Sequence, residues 1–265
     1  MQWEMWLDTW QEHARTEKFA RRLDLAVKEV QAHDRQVAGM FAGCSGGKDS
    51  CAVAGILSYA GLLDKVPLVY CHTELDTPGS SETVEALADV LNADLDVVES
   101  PLDIWDWLRA AKFAQGNLID FMNYKLFLHR FSSVNLSVAH MYETGASGVF
   151  LGLRTEESHG RRMNRAIRGK LYRGLDGTWK SQPIVDWEAR DVFALAVSMR
   201  LPVHPYYRLA LERLGVSPES PGSRVGCMMP EETAVQWPVL SPLKVLYPDL
   251  WLRLRQARPE LERWT

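Results

Sequence analysis

The chain has 265 residues, 46% of them apolar and 24% charged, which suits one large α/β domain or a domain with an appendage. Its net charge of −4 argues against a chain that binds nucleic acid over its whole surface, and no apolar run approaches the ~20 residues of a membrane span. The opening MQWEMWLDTW carries acids and no Arg or Lys, unlike a secretory or transit signal, so a cytoplasmic protein is expected.

Residues 3–33 place Trp3, Trp6, Trp10, Phe19, Leu23, Leu25 and Val27 among apolar positions at helical spacing, which predicts one or two amphipathic helices. Tryptophans in such a pattern are read as core or as a subunit interface. Residues 36–43 are a short apolar run ending in glycine, a buried strand by expectation; a helix over 49–63 and a second strand over 66–73 follow. A helix over 80–92 and a third strand over 95–100 complete a β-α-β-α-β order, which implies parallel strands and right-handed crossovers.

Helical spacing returns over 101–116 and 123–145, and residues 147–153 read as a fourth strand. QPIV (Gln182–Val185) reads as a fifth, with Asp186 resembling the N-cap of a helix over 188–200. Residues after Gly215 are loop-rich, and prolines then break the chain into short helices. The expected organisation is a helical extension over 1–35, an α/β domain over 36–215, and C-terminal loop and helices over 216–265 packed on it. The fold class is α/β: a doubly wound, mainly parallel five-stranded sheet with helical additions at both ends.

FAGCSGGKDSCAVAG (Phe41–Gly55) lies where the first strand meets the next helix. A Walker A loop requires G-x-x-x-x-G-K-[ST]; Gly43 is one residue too close to Gly47, and Asp49 stands where the magnesium-binding hydroxyl belongs. The G-x-G-x-x-G dinucleotide fingerprint is absent. What remains is S-G-G-x-D-S at a strand-to-helix junction, where backbone N–H groups and the helix dipole face an anion. Gly46 and Gly47 let the backbone approach phosphate, Ser45 and Ser50 add hydroxyls, Lys48 adds charge, and Asp49 can cap the helix or hold magnesium.

The cysteines, Cys44, Cys51, Cys71 and Cys227, form no C-x-x-C pair, so a disulfide framework or a metal site of thiolates is not expected. Between Arg161 and Arg173 every charged residue is basic. Such a run is either a solvated face or a clamp for polyphosphate, an anionic substrate or a nucleic-acid backbone. It has too few aromatics to argue for base stacking.

SGGKDS after a buried strand resembles the PP-loop of ATP pyrophosphatases, the adenine nucleotide alpha-hydrolase-like group. The later GLRTEES, PIVDWEARDVF and LPVHPYY resemble its phosphoadenosine phosphosulfate reductase branch, over about Gln36 to Met229. The resemblance implies that Ser45, Gly46, Gly47, Lys48, Asp49 and Ser50 hold the pyrophosphate end of a nucleotide. It puts Ala42, Gly43 and Cys44, then Cys71, His72 and Thr73, then Leu151, Gly152 and Leu153 around the nucleotide. Arg154 is expected to face the phosphates or a second substrate, with Lys48, Glu156, Glu157, Arg161 and Arg162 as further catalytic or second-substrate candidates. The run behind Arg154 is expected over the ligand crevice at the carboxyl ends of the strands.

Several positions depart from that branch. Its reductases attack sulfur with a thiolate on a C-terminal tail, whereas no cysteine follows Cys227 in these residues. Where relatives hold an iron–sulfur cluster on paired cysteines, this chain reads Ser132–Ser133 and Cys227–Met228–Met229, so no cluster is expected. The Asp-Thr of the family's second strand end reads His72–Thr73 here. The expected activity is therefore cleavage of ATP between the α- and β-phosphates, with magnesium, to adenylate a second substrate and release pyrophosphate. One alternative is a sulfonucleotide reductase or sulfotransferase using Cys227 or a partner's thiol. Another is a non-catalytic nucleotide-binding subunit of a nucleic-acid-modifying assembly. Candidate partners are a nucleotide, a second substrate, nucleic acid through Arg161–Arg173, and a homodimer or multiprotein assembly.

Overall fold

The structure is a computed structural model that describes residues 2–99, 103–105, 133–221, 223–226 and 242–259. Helices α1 (Gln2–Ala14) and α2 (Glu17–Gln36) open the chain. Thr16 caps α2 by accepting the Phe19 N–H at 3.2 Å. Trp3 and Trp10, seven residues apart and so on one helical face, are buried; Trp10 stacks on Phe193 with centroids 4.2 Å apart. Trp3 and Trp10 are thus core, and Trp6 is half-buried against them.

The central sheet follows the predicted alternation. β1 (Met40–Gly43) leads to α3 (Lys48–Tyr59), β2 (Leu68–His72), α4 (Ser80–Leu91) and β3 (Leu95–Glu99). After α5 (Ser133–Thr144) come β4 (Gly148–Phe150), a 3-10 turn (Thr155–Glu157) and α6 (His159–Arg168). β5 (Leu171–Arg173), β6 (Trp179–Ser181), α7 (Ala189–Met199) and α8 (Pro205–Leu214) follow, then α9 (Leu243–Leu246) and α10 (Pro248–Ala257). The helices expected over 101–116 and 123–145 are described only at 103–105 and from 133 onward; Ser132 and Cys227 lie outside the described residues.

The sheet has six strands in the order β3-β2-β1-β4-β6-β5, parallel except for β5 against β6. This corrects the five-stranded expectation. The predicted fifth strand, Gln182–Val185, is a turn, and the ladder runs just before it through Trp179–Ser181. The added strand arises from a hairpin whose turn carries Asp176–Gly177, with Gly177 at φ +79° and Arg173 facing Trp179 across the ladder. Asp186 does not cap α7. Glu188 does, in a capping box with Asp191, while Asp186 pairs with Arg165 at 3.1 Å.

Alternation along the strands explains why both faces are covered. Met40, Ala42, Leu68, Tyr70 and Phe150 enter the core formed with α2, α3 and α7. Their neighbours Phe41, Val69 and Val149 enter a second core with Met141 of α5. The N-terminal helices are fastened by charge as well as by rings. Asp191, 0% exposed, accepts from His13 Nε2 at 2.8 Å and pairs with Arg22.

The chain leaves β1 outward through β2 and β3, then returns to β4 on β1's other side. Strand order therefore reverses between β1 and β4, at whose carboxyl ends such sheets form a crevice. No helix among the described residues is long and apolar enough to cross a membrane.

Candidate nucleotide site

A cavity of about 330 Å³ lies at that crevice. Cys44–Gly47 turns from β1 into α3, and Gly46 has φ +72°; a Cβ there would stand 2.9 Å from the Ser80 carbonyl oxygen. Glycine is therefore required both by conformation and by space. Ser50 closes the loop: its Oγ accepts the Ser45 N–H at 3.1 Å and donates to the Gly47 carbonyl at 2.9 Å. The first N–H groups of a helix lack intrahelical partners. Here the Lys48 N–H donates to the Tyr207 hydroxyl at 3.1 Å, and the rest of the helix start opens on the cavity at Gly47, Asp49 and Ser50.

Lys48 is 4% exposed; its Nζ donates to the Ser223 carbonyl at 3.2 Å and to Asp49 Oδ2 at 3.1 Å. Burial pulls its pKa down, and the Asp49 carboxylate opposes that. Arg154 is buried behind the loop, where its Nε donates to Asp49 Oδ1 at 2.5 Å and its Nη1 to Glu156. Burial alone would lower its pKa, but Asp49 and Glu156 raise it above the usual value. Arg161 and Arg224 also line the cavity and share one carboxylate, Glu157. Arg161 is lowered to about 10, first by burial and then by the Arg224 charge.

The expected residues divide as follows. Gly43, Cys44, Ser45, Gly47, Lys48, Asp49 and Ser50 line the cavity, as do Cys71, Leu151, Gly152, Leu153, Glu157 and Arg161. Gly46 shapes the loop from behind. Ala42 is buried in the core, and Arg154 and Glu156 form the ionic support under Asp49. Arg162 is exposed and donates to the Thr155 carbonyl. His72 and Thr73 line a neighbouring groove of about 520 Å³ that shares Tyr70 and Asp76 with the cavity. Among the described residues, that groove sets Glu74, Glu82 and Asp249 against the single cation Arg253, so it suits an anion less well than the cavity, where Lys48, Arg161, Arg224 and the loop N–H groups stand beside Asp49 and Glu157.

Of the run from Arg161 to Arg173, Arg161 is the residue that reaches the cavity. Arg165 and Lys170 turn to Asp186 and Glu29, Arg168 sits over the Tyr172 ring, and Arg173 holds the Gly177 carbonyl. Sequence reasoning missed Tyr207, Arg224 and Asp76. The Asp76 carboxylate folds back on the end of β2, accepting from Tyr70 Oη at 2.7 Å and from Thr73 N–H and Oγ1 at 3.0 Å each. Burial raises its pKa.

Magnesium takes oxygen ligands, commonly carboxylates with substrate phosphates. Asp49, the expected ligand, has both oxygens held by cations, Glu157 is paired with arginines, and no group of three His, Cys, Asp or Glu converges among the described residues. The side chains present do not fit a resident magnesium ion, so any magnesium at this site is treated as part of the nucleotide substrate.

A mainly parallel sheet with an S-G-G-x-D-S loop at its switch point, leading into a helix start, defines a nucleotide-binding protein of the PP-loop, adenine nucleotide alpha-hydrolase-like class. Within it, the chain belongs to the phosphoadenosine phosphosulfate reductase domain family, whose model matches residues 39–229. Its fold is similar to that of phosphoadenylyl-sulfate reductase from Candida auris in its phosphate complex. The two are 15% identical over 71% of this chain and 85% of that one, with a TM-score of 0.54. FMN adenylyltransferase from Candida glabrata in complex with ATP matches at 13% identity over 78% of this chain and 67% of that one, TM-score 0.48. NMN synthetase from Francisella tularensis matches at 14% over 70% and 71%, TM-score 0.43. No curated protein matches the chain.

Proposed function

We propose that this protein binds ATP and cleaves it between the α- and β-phosphates, transferring adenylate to a second substrate and releasing pyrophosphate. The observation that carries this reading is the pair Arg161 and Arg224, two guanidiniums of the cavity wall that share the carboxylate of Glu157. That wall has positive charge to spare for a further anion, and the loop supplies N–H groups and hydroxyls for another.

On this reading the β- and γ-phosphates sit on Ser45–Ser50, and the α-phosphate lies toward Arg161 and Arg224. The apolar side chains of Phe41, Val69, Val149 and Leu151 line the same cavity and suit the adenine ring. A nucleophile on the second substrate attacks the α-phosphorus; the bond to the bridging oxygen breaks, and pyrophosphate leaves with the electron pair. The nucleophile's proton passes to solvent. Catalysis is positioning and neutralisation of developing charge by Lys48, Arg161 and Arg224. Asp76 supplies, at the end of β2, a carboxylate that the His72–Thr73 pair lacks, and we assign it to the ribose side.

ATP labelled at the α-phosphate tests the reading: the label passes to an adenylated product while unlabelled pyrophosphate is released in equal amount, and ADP as the product overturns it. Family membership favours a second reading, sulfonucleotide reduction. Of the two thiols in the cavity, burial pushes Cys71 up to about 12, which keeps it protonated near neutral pH, whereas the hydrogen bond with Cys51 holds Cys44 below its ordinary value. Sulfite released from phosphoadenosine phosphosulfate with added thioredoxin, and lost in Cys227→Ser, would establish that reading. Nucleotide binding without any turnover would instead favour a non-catalytic subunit.

A further inference from the structure

We infer that Tyr207 is a phosphate-binding residue of this site, its hydroxyl bridging the first amide of α3 and a phosphate oxygen of the bound nucleotide. The inference rests on the reading of Ser45–Ser50 as the phosphate site and adds a residue that neither the loop motif nor its strand-end partners include. Tyr207 comes from α8, 159 residues along the chain from Lys48.

Its position is built rather than incidental. His204 caps α8 by accepting the Tyr206 N–H at 3.0 Å, and Pro205 starts the helix, which fixes Tyr207 in the first turn. The ring is 1% exposed. It meets Phe193 edge to face at 5.4 Å, and Phe193 is stacked on Trp10 from the N-terminal helix. Tyr206 and His204 pack edgewise at 5.8 and 6.5 Å, and Lys48 Nζ lies 5.3 Å over the ring. Rings fixed on several sides hold the phenol oxygen at one point.

That oxygen is used on one side. It accepts the Lys48 N–H, and no acceptor takes its own hydrogen among the described residues, while the side chain lines the cavity. A buried hydroxyl that accepts without donating is left with a desolvated hydrogen, a cost that an incoming acceptor removes. Burial and the nearby Asp49 charge push the phenol well above its ordinary pKa, so it keeps that hydrogen near neutral pH. A phosphate oxygen at the α3 start is an acceptor of the right charge in the right place.

Tyr207→Phe keeps the ring and its packing and removes the hydroxyl. Calorimetry with ATP, inorganic pyrophosphate and adenosine on the full chain reads the outcome. Affinity for ATP and pyrophosphate is expected to fall by about tenfold to a hundredfold, with adenosine unchanged. Unchanged ATP affinity, or equal losses for ATP and adenosine, overturns the inference. A second variant separates donating from merely capping the helix: 3-fluorotyrosine at 207 gives a stronger donor and a weaker acceptor. ATP affinity held or increased supports donation to phosphate; a loss matching Tyr207→Phe shows that only the bond from Lys48 counts. If the parent protein binds neither ATP nor pyrophosphate, the phosphate site itself fails and this inference with it. If the parent binds and the phenylalanine variant binds equally well, this inference alone fails.

Discussion

Arg154, which follows the fourth strand, donates its Nε–H to Asp49, in the first turn of the third helix, across 2.5 Å of a site that leaves Arg154 1% exposed. The strand end and the phosphate loop are thereby locked to one another by charge. Arg154 was expected to face the ligand; it stands one layer behind, where it neutralises Asp49 and Glu156. Removing one partner of a buried ionic group leaves the rest uncompensated, which costs more than the intact group contributes. Arg154→Met is therefore expected to destabilise the protein by about 3–5 kcal/mol in chemical denaturation and to abolish ATP binding. A loss below about 1 kcal/mol would mean that the acids find other partners.

Gly152 is required by contact. A Cβ there would lie 2.6 Å from the Asp49 carbonyl carbon and 2.7 Å from the Ser50 nitrogen, both backbone atoms. Gly152→Ala is expected to cost about 1–3 kcal/mol and to weaken ATP binding at least tenfold by pushing the helix start off the strand end. Gly148→Ala is the control, since its Cβ would meet the Trp179 carbonyl at 2.6 Å, at the β4–β6 pairing. It should cost similar stability in thermal unfolding while the folded fraction binds ATP normally.

The N-terminal helix supports the site from behind through Trp10, Phe193 and Tyr207. Trp10 is fully buried and also donates Nε1–H to Glu219 at 2.9 Å. Trp10→Ala should destabilise by about 3–5 kcal/mol, the range for large-to-small changes of buried aromatics. Limited proteolysis should then cut first within residues 2–14; cleavage elsewhere at the parent's rate would count against this packing.

Stability should depend on pH through His204, whose pKa burial lowers from 6.5 to about 4. The unfolded chain binds the proton more readily than the folded one, so the neutral histidine's contribution is complete above about pH 6.5. It is lost progressively as pH falls toward 4, by roughly 2–4 kcal/mol. His204→Asn keeps a cap acceptor and removes the titration. Denaturation across this range should give a shallower slope for the variant, and parallel curves would refute the assignment.

Much of this was legible locally. The first four strands announced themselves as short apolar runs, the first ending in Gly43, and the loop by spacing that excludes Walker A, because both are properties of neighbouring residues. The hairpin was legible too, since Asp176–Gly177 between alternating residues is a strong turn signal; reading Arg161–Arg173 as one basic run hid it. Helix α6 lay in the same run. Its arginines serve different purposes because a helix points them in different directions, and charge counting cannot show that.

Tyr207, Arg224 and Asp76 were beyond local reading. Tyr207 and Arg224 reach the loop only through tertiary packing, and Arg224 sits in a stretch of Gly, Ser and Pro whose composition says only loop. Asp76 carried a faint signal. With His72 in place of the usual acid, the next Asp-Thr pair, Asp76–Thr77, was a candidate to supply a carboxylate, but the fold-back that brings it to Thr73 is a turn no motif describes.

The most direct measurement is the structure of the protein with ATP bound. The account predicts the β- and γ-phosphates on Ser45–Ser50, with the α-phosphate directed to Arg161 and Arg224 and open to an incoming nucleophile. The α-phosphate seated on the loop with the γ-phosphate directed outward, or the nucleotide in the groove of His72 and Asp249, would contradict it.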